Sequence, residues 1–416
     1  MKKYLLFYIL FILAFSSCKK DKTSPVLDDV DVRLADSLTQ YQATLASAQY
    51  GWKAYLLTNI DIAVDFTMKF NDKNRVVMTA EYGADEEESS YRLKALQRPT
   101  LLFDTYSILH ELSDPNPNVL GGGVGTGYEA DFEFAVISAT KDKIVLEGTF
   151  NKSKLILVRA ESKVDLESTY NETSAMQDKL SQIHTYFKRT EIGGKNYEAK
   201  IDVGNKRINF ISSETGDNVG SNFYVVKNEV RFFNPIVIGK DSIVSLSDVK
   251  YDPSGFLSAS SGSLNMRITE SITPMNYDKT AVTRFWRSDR QISFSAWVKD
   301  GVEDYLNDNS VSVGTGMNRR IAWLDYGPGY DLLGYAQGNS LYFGTAIAST
   351  IDLQTGLIKY QYVGALGTIP AAYRNIILQT ALDFTDQKGL YVIETALGQY
   401  DLVTVSDARK WISFGR

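Results

Sequence analysis

From Trp52 onward the chain is written in short alternating segments closed by turns, and this restricts the fold more than any other feature. "WKAYLLT", "AVDFTMKF" and "RVVMTAEY" run with period two, which puts every second side chain on one face of a strand. Asn71–Asn74 reads as the turn between the last two, and "KIVLEGTF" meets "KLILVRA" across Asn151–Ser153. Residues 195–270 hold seven more such segments, "NYEAKID" to "LNMRITE", with turns at Val203–Asn205, Lys227-Asn228, Lys240-Asp241 and Asp252–Gly255. Segments of this length and spacing predict a mainly β protein, with antiparallel meanders forming barrel- or sandwich-like modules. The 25 Tyr and 20 Phe suit that class.

Helices are few. Leu34, Leu38, Tyr41, Leu45 and Ala48 make one apolar stripe and predict an N-terminal helix over 32–49. Asp28, Asp29 and Asp31 suit its positive end. Met176, Leu180, Ile183 and Phe187 predict a second helix over 169–187, with Thr169 and Glu172 at capping-box spacing. A short helix is expected around Tyr106–Leu112, capped by Asp104 or Thr105, and another within Pro370–Leu382. The acidic run Asp85–Glu88 reads as a solvated loop.

There is a faint internal echo. "LLFDTYSIL" followed by strands ending "LILVRA" resembles "VRFFNPIVI" followed by strands ending "LNMRITE", which suggests two related β modules. The resulting division is a leader (1–17), a tether (18–31), a helix plus β module (32–190), a second β module (191–272) and an aromatic, Gly-rich β module (273–416).

The leader is read from "MKKYLLFYILFILAFSSCKK". Lys2 and Lys3 precede an apolar run, Tyr4–Phe15, that is short for a membrane span. Small residues follow, then Cys18, the single cysteine of the chain. This resembles a bacterial lipobox, so cleavage before Cys18 and acylation of its sulfur and amine are expected. The polar segment Lys19–Asp31 then tethers the folded part to an envelope membrane, with the outer membrane and its exposed face expected.

Composition removes several function classes. A formal charge of −6 argues against nucleic acid. One cysteine excludes an intrachain disulfide and a cysteine zinc site, and two histidines, His110 and His184, fall short of the three protein ligands usual at catalytic zinc. There is no G-x-S-x-G elbow. No cofactor, metal or catalytic residue is therefore assigned. The 50 acidic residues leave a carboxylate pair open without singling one out.

The stretch "LGGGVGTGYEADFEF" (Leu120–Phe134) is not a phosphate loop. Tyr128 stands where the last Gly of G-x-G-x-x-G belongs, no Walker lysine follows, and an alternating strand rather than a helix comes next. It reads as a mobile glycine connector, or a flap over a cavity, entering a strand whose Glu129, Asp131 and Glu133 share one face. The segment Trp323–Phe343 interleaves Trp323, Tyr326, Tyr330, Tyr335 and Tyr342 with glycines. These five are the candidate ligand residues, since aromatic faces on an adaptable backbone suit sugars or peptides; aromatic core packing explains the same pattern.

The lipobox, "YGWKAYLL", "RPTLLFDTYSILHELSDP" and the glycine loop with "YEADFEF" together resemble an uncharacterised domain-of-unknown-function family of Bacteroidetes cell-envelope lipoproteins. The resemblance implies partners rather than a reaction: a SusC/SusD-like transporter pair and a zinc metallohydrolase lipoprotein. It points to a non-enzymatic lipoprotein that binds a glycan or peptide for uptake. The alternatives are a carboxylate-dependent hydrolase of glycans or peptides, and a structural or adhesive envelope protein.

Overall fold

The computed structural model describes residues 30–288, 290–294, 296–303, 321–327, 329–337 and 340–415. The leader, Cys18 and the tether up to 29 lie outside the described residues.

The chain folds as three successive units, each a helix followed by a ring of eight antiparallel strands. Helix α1 (Val30–Ala46) precedes β1 (Trp52–Leu57), β2 (Ala63–Phe70), β3 (Arg75–Ala80), β4 (Gly83–Ala95), β5 (Pro99–Phe103), β6 (Glu133–Ala139), β7 (Lys143–Gly148) and β8 (Lys154–Arg159). Strands β8 and β1 pair and close the barrel. Helix α2 (Ile108–Glu111) lies in the β5–β6 connection.

Helices α3 (Lys163–Glu167) and α4 (Thr169–Ser181) lead into the second closed barrel. Its strands are β9 (Phe187–Ile192), β10 (Lys195–Asp202), β11 (Arg207–Ser212), β12 (Asn218–Val226), β13 (Glu229–Ile238), β14 (Asp241–Asp252), β15 (Phe256–Ser261) and β16 (Leu264–Ser271).

Helix α5 (Ala281–Trp286) opens the third unit. Its strands are β17 (Arg290–Ser293), β18 (Val298–Lys299), β19 (Val302–Glu303), β20 (Ile321–Gly327), β21 (Tyr330–Gln337), β22 (Ser340–Asp352), β23 (Leu357–Gly367), β24 (Leu390–Ala396), β25 (Gln399–Thr404) and β26 (Lys410–Gly415), with α6 (Arg374–Asp383) between β23 and β24. Because β17 pairs with both β20 and β26, this sheet also closes on itself, and the β18–β19 hairpin hangs from β26.

The echo falls on equivalent strands. "LLF" lies in β5 and "VRFF" in β13, each the fifth of its barrel, while β8 and β16 are the eighth. The third ring repeats the plan without a sequence trace. The long connections in the first and third units both follow the fifth ring strand and both carry a helix.

An eight-stranded barrel is just wide enough for its own side chains to fill. Trp52, Phe66, Met68, Met78, Leu101, Phe134 and Leu155 fill the first. Helix α1 covers one mouth: Leu45 and Ala48 join that core, the Trp52 indole donates to the Leu45 carbonyl (3.0 Å), and the Gln42 amide reaches Asn74 in the β2–β3 turn (2.9 Å). Helix α2 covers the other through Ile108, Leu109 and Leu112. The second core takes Met176, Leu180 and Ile183, and the third takes Phe285 and Phe384.

Strand β1 is buried on both faces, because its outward residues meet the second barrel. Tyr55 packs at a tilt on Tyr224, ring centroids at 4.6 Å, and donates its hydroxyl to the Val225 carbonyl (2.8 Å). Lys53 pairs with Asp165 (2.8 Å) and Glu172 (2.9 Å). Lys206, from the β10–β11 turn, pairs with Asp65 (3.0 Å) and Glu81 (2.8 Å), and the Thr173 hydroxyl donates to Asp65 (2.6 Å). Burial pushes the Glu81 carboxyl up, Asp65 adds to this, and Lys206 draws it back. A smaller junction packs Phe187, Val403 and Ala408 between the second and third barrels.

Local expectations change in four places. Residues Asp85–Glu88 are strand, not loop: Glu87 and Glu88 pair with Met78 and Val77 of β3, and a closed ring holds even acidic residues in its ladder. The predicted 169–187 helix is α4 alone, ending at Ser181, and Phe187 starts β9 in the ladder with β16. The predicted boundary at 190/191 therefore falls inside β9. Helix α2 is preceded by Ser107 rather than by an Asp104 or Thr105 cap, and Glu87 from β4 accepts its first N–H, that of Ile108 (2.6 Å).

Candidate ligand-binding site

Of the five aromatic residues singled out in the third unit, Trp323 and Tyr335 lie inside the barrel. Trp323 is fully buried beside Phe285, with ring centroids at 5.0 Å, and Tyr335 packs near Phe343. Tyr330 is half-buried at the start of β21. Tyr326 and Tyr342 lie in β20 and β22, and their side chains are outside the described residues. Period-two alternation sends Trp323 inward, so its indole serves the core.

A surface of stacked rings forms instead at the glycine-loop mouth of the first barrel. The His110 ring lies between Tyr106 (5.7 Å, 26°) and Phe132 (4.7 Å, 25°). Tyr106 is 61% exposed and Phe132 45%. Phe150, in the β7–β8 turn, is 86% exposed. The stack is braced from below: the Tyr106 hydroxyl donates to Asp114 (2.6 Å), and Ser107 Oγ lies 3.2 Å from His110 Nδ1. Burial lowers the His110 pKa from its ordinary value, with the Phe103 carbonyl and Asp104 opposing, so the middle ring is neutral at pH 7. The Asp114 hydrogen bond raises the Tyr106 pKa to about 12, which keeps the phenol protonated.

Asp131 ties Phe150 to this stack. It is buried, and accepts the N–H groups of Phe150 and Asn151 (both 2.9 Å) and the Ser153 hydroxyl (2.6 Å). The strand reading of 128–134 gave Asp131 a solvated face. In fact β6 begins only at Glu133, because the Asp131 carboxylate is used up by the turn. It lies flat over Gly148, where a Cβ would stand 1.9 Å from Oδ2.

The glycine loop is folded on itself rather than an open connector. Gly123 and Gly127 form a bridge, Gly125 N–H donates to the Pro115 carbonyl (2.9 Å), and Tyr128 N–H to the Leu112 carbonyl (2.7 Å). Gly127 has φ +58°, and a Cβ there would lie 2.8 Å from the carbonyl oxygens of Leu112 and Asp114. These glycines let the loop lie against the end of α2, which carries His110. Gly127→Ala is therefore expected to cost about 1–3 kcal/mol from backbone strain, plus that close contact. Thermal unfolding measures it, and a melting temperature equal to wild type would show that the loop rearranges freely.

Sequence reasoning missed this platform because its rings come from three separate segments. The available signal was Tyr106 and His110 at helical spacing, i and i+4, in a stretch read only as a short helix.

The chain matches the domain of unknown function DUF4302 over residues 28–252. It belongs to that family. The DUF4302 match spans α1, the first barrel with its platform, α3, α4 and six strands of the second barrel, and it ends with β14. No curated protein matches the chain. Among solved structures, the β subunit of the Streptococcus pyogenes DNA polymerase is similar at 10% identity over 91% of this chain and 97% of its own, with a TM-score of 0.14. The C. crescentus β sliding clamp gives 8% identity, 91% and 96% coverage and a TM-score of 0.17. The H. pylori β clamp gives 10%, 92% and 96%, and 0.14. Scores this low carry no information about this chain's fold or activity.

Proposed function

We propose that this DUF4302 protein is a non-enzymatic, lipid-anchored envelope protein that captures a glycan on the Tyr106–His110–Phe132 platform. The carrying observation is the braced, exposed ring stack at one mouth of the first barrel. Large apolar rings left in solvent, each fixed by a hydrogen bond or a turn, mark a contact surface rather than unfinished core. Sugar rings present apolar C–H faces to such rings and hydroxyls to the polar groups around them. Asp114 and Asn116, whose side-chain oxygens cap the turns after α2, keep further acceptor and amide positions for such hydroxyls.

The anchor reading rests on the leader and Cys18. With the family resemblance, it supports an outer-membrane role beside a SusC/SusD-like transporter pair, receiving oligosaccharide released outside the cell. Mass spectrometry of the native protein tests the anchor: diacyl- or triacyl-modified Cys18 is expected, and a free thiol on secreted material contradicts it. Retention on immobilised glycans tests the capture. Tyr106→Ala/Phe132→Ala is expected to weaken binding of a retained glycan at least tenfold, about 1.4 kcal/mol, with circular dichroism unchanged. Equal retention by wild type and variant would remove the platform from the account.

A further inference from the structure

The third barrel carries a different kind of site. Asp325 on β20 and Asp331 on β21 are direct cross-strand partners. Like charges placed opposite each other in a ladder are destabilising unless something sits between them. Asp325 is exposed at the barrel mouth, whereas Asp331 is only 5% exposed. Among the described residues neither carboxylate has an ion-pair partner, and Asp331 Oδ2 has no hydrogen-bond partner.

Other polar atoms gather there. The hydroxyl of Tyr360, on β23, is buried and unpartnered among the described residues, and it feels the Asp331 charge. The buried Trp323 indole N–H is directed at the Asp331 carboxylate. Ser349 on β22 accepts the indole N–H of Trp286 from α5 (3.1 Å) and also supports the Asp331 carboxylate. Trp286 is partly exposed and stands at the same mouth. Burial raises the Asp331 pKa, the Ser349 and Trp323 hydrogen bonds draw it back and Asp325 adds to the rise, so the carboxylate has neutral donors but no positive charge beside it. The first two barrels hold no comparable group of orphaned side chains among their described residues.

We propose that the α5 mouth of the third barrel binds a ligand bearing an ammonium group, with Asp331 as its counter-ion and Asp325 at the entrance. A cation between the two carboxylates removes their repulsion and gives Asp331 Oδ2 a donor. The partly exposed indole face of Trp286 adds the attraction of an aromatic ring for a cation. A metal ion suits the site poorly. Among the described residues no group of three or more His, Cys, Asp or Glu side chains is placed to hold one, and an indole N–H only donates. The ammonium group of an amino sugar and that of a lysine side chain share this chemistry.

Calorimetry on the full-length protein tests this with glucosamine, Nα-acetyl-lysine amide and propylammonium, and with glucose and propanol as neutral controls. At least one ammonium compound is expected to bind saturably at one site and to change tryptophan fluorescence, while the neutral compounds do not. Asp331→Asn is expected to weaken that binding at least tenfold while leaving thermal stability equal or higher, because a buried unpaired charge is removed. Tyr106→Ala/Phe132→Ala is expected to bind the ammonium compound normally, which separates this site from the platform. The amino-sugar and lysine arms identify the source. Absence of binding by every ammonium compound, or equal binding by Asp331→Asn, overturns the proposal.

Discussion

Replacing Lys206 by Met is expected to destabilise the first two barrels by about 3–5 kcal/mol, the usual cost of stranding a buried charge. Lys206 is 3% exposed and Asp65 1%, so water cannot take over the lost interaction. Asp65 would keep the Thr173 hydroxyl but lose its cation, and Glu81 beside it would add repulsion. Urea unfolding followed through tryptophan fluorescence reads the effect as a lower midpoint. The triple variant Lys206→Met/Asp65→Asn/Glu81→Gln is expected to recover much of the loss, because no unpaired charge remains. A single variant within 1 kcal/mol of wild type would mean that the other junction contacts, Tyr55 with Tyr224 and Lys53 with Asp165 and Glu172, hold the barrels without Lys206.

The second large effect concerns where the foldable unit ends. A fragment of residues 28–252 corresponds to the family match but stops after β14. It leaves β9 without β16 and β14 without β15, so two strand edges open on an otherwise closed ring. Open edges recruit other chains. This fragment is expected to elute as aggregate in size-exclusion chromatography and to lose amide protection throughout the second barrel. A fragment of residues 28–272 restores the ring and is expected to be monomeric with a cooperative melt. A monomeric 28–252 fragment with protected β9 and β14 amides would show that ring closure is not what stabilises this unit.

The architecture was legible where one face of each element is buried. Alternation located most of the strands, and the stripe from Leu34 to Ala48 located α1, because both patterns report directly on a local core. Ring closure was not legible, since pairings such as β1 with β8 join residues a hundred positions apart and leave no local mark. The Asp85–Glu88 segment failed for a related reason: acidic residues have weak strand preference, and the ladder with β3 decides their conformation. The aromatic residues of 323–343 show the limit for sites. Composition reveals that rings are plentiful, but register decides which face the barrel interior, and Trp323 does. His110 was weighed only as a metal ligand and Asp331 was not singled out, because their importance comes from what other strands and turns bring to them.

The two mouths of the first barrel carry different equipment, and the spacing between them sets a clearance. Helix α1, through which the N-terminal extension enters, occupies one mouth, and the Tyr106 stack occupies the other. Strands of about six residues, tilted as a closed barrel requires, separate them by roughly 15 Å. A support gripping α1 directly would therefore leave the ring stack facing away from it, and only a flexible linker lets the stack turn back toward that support.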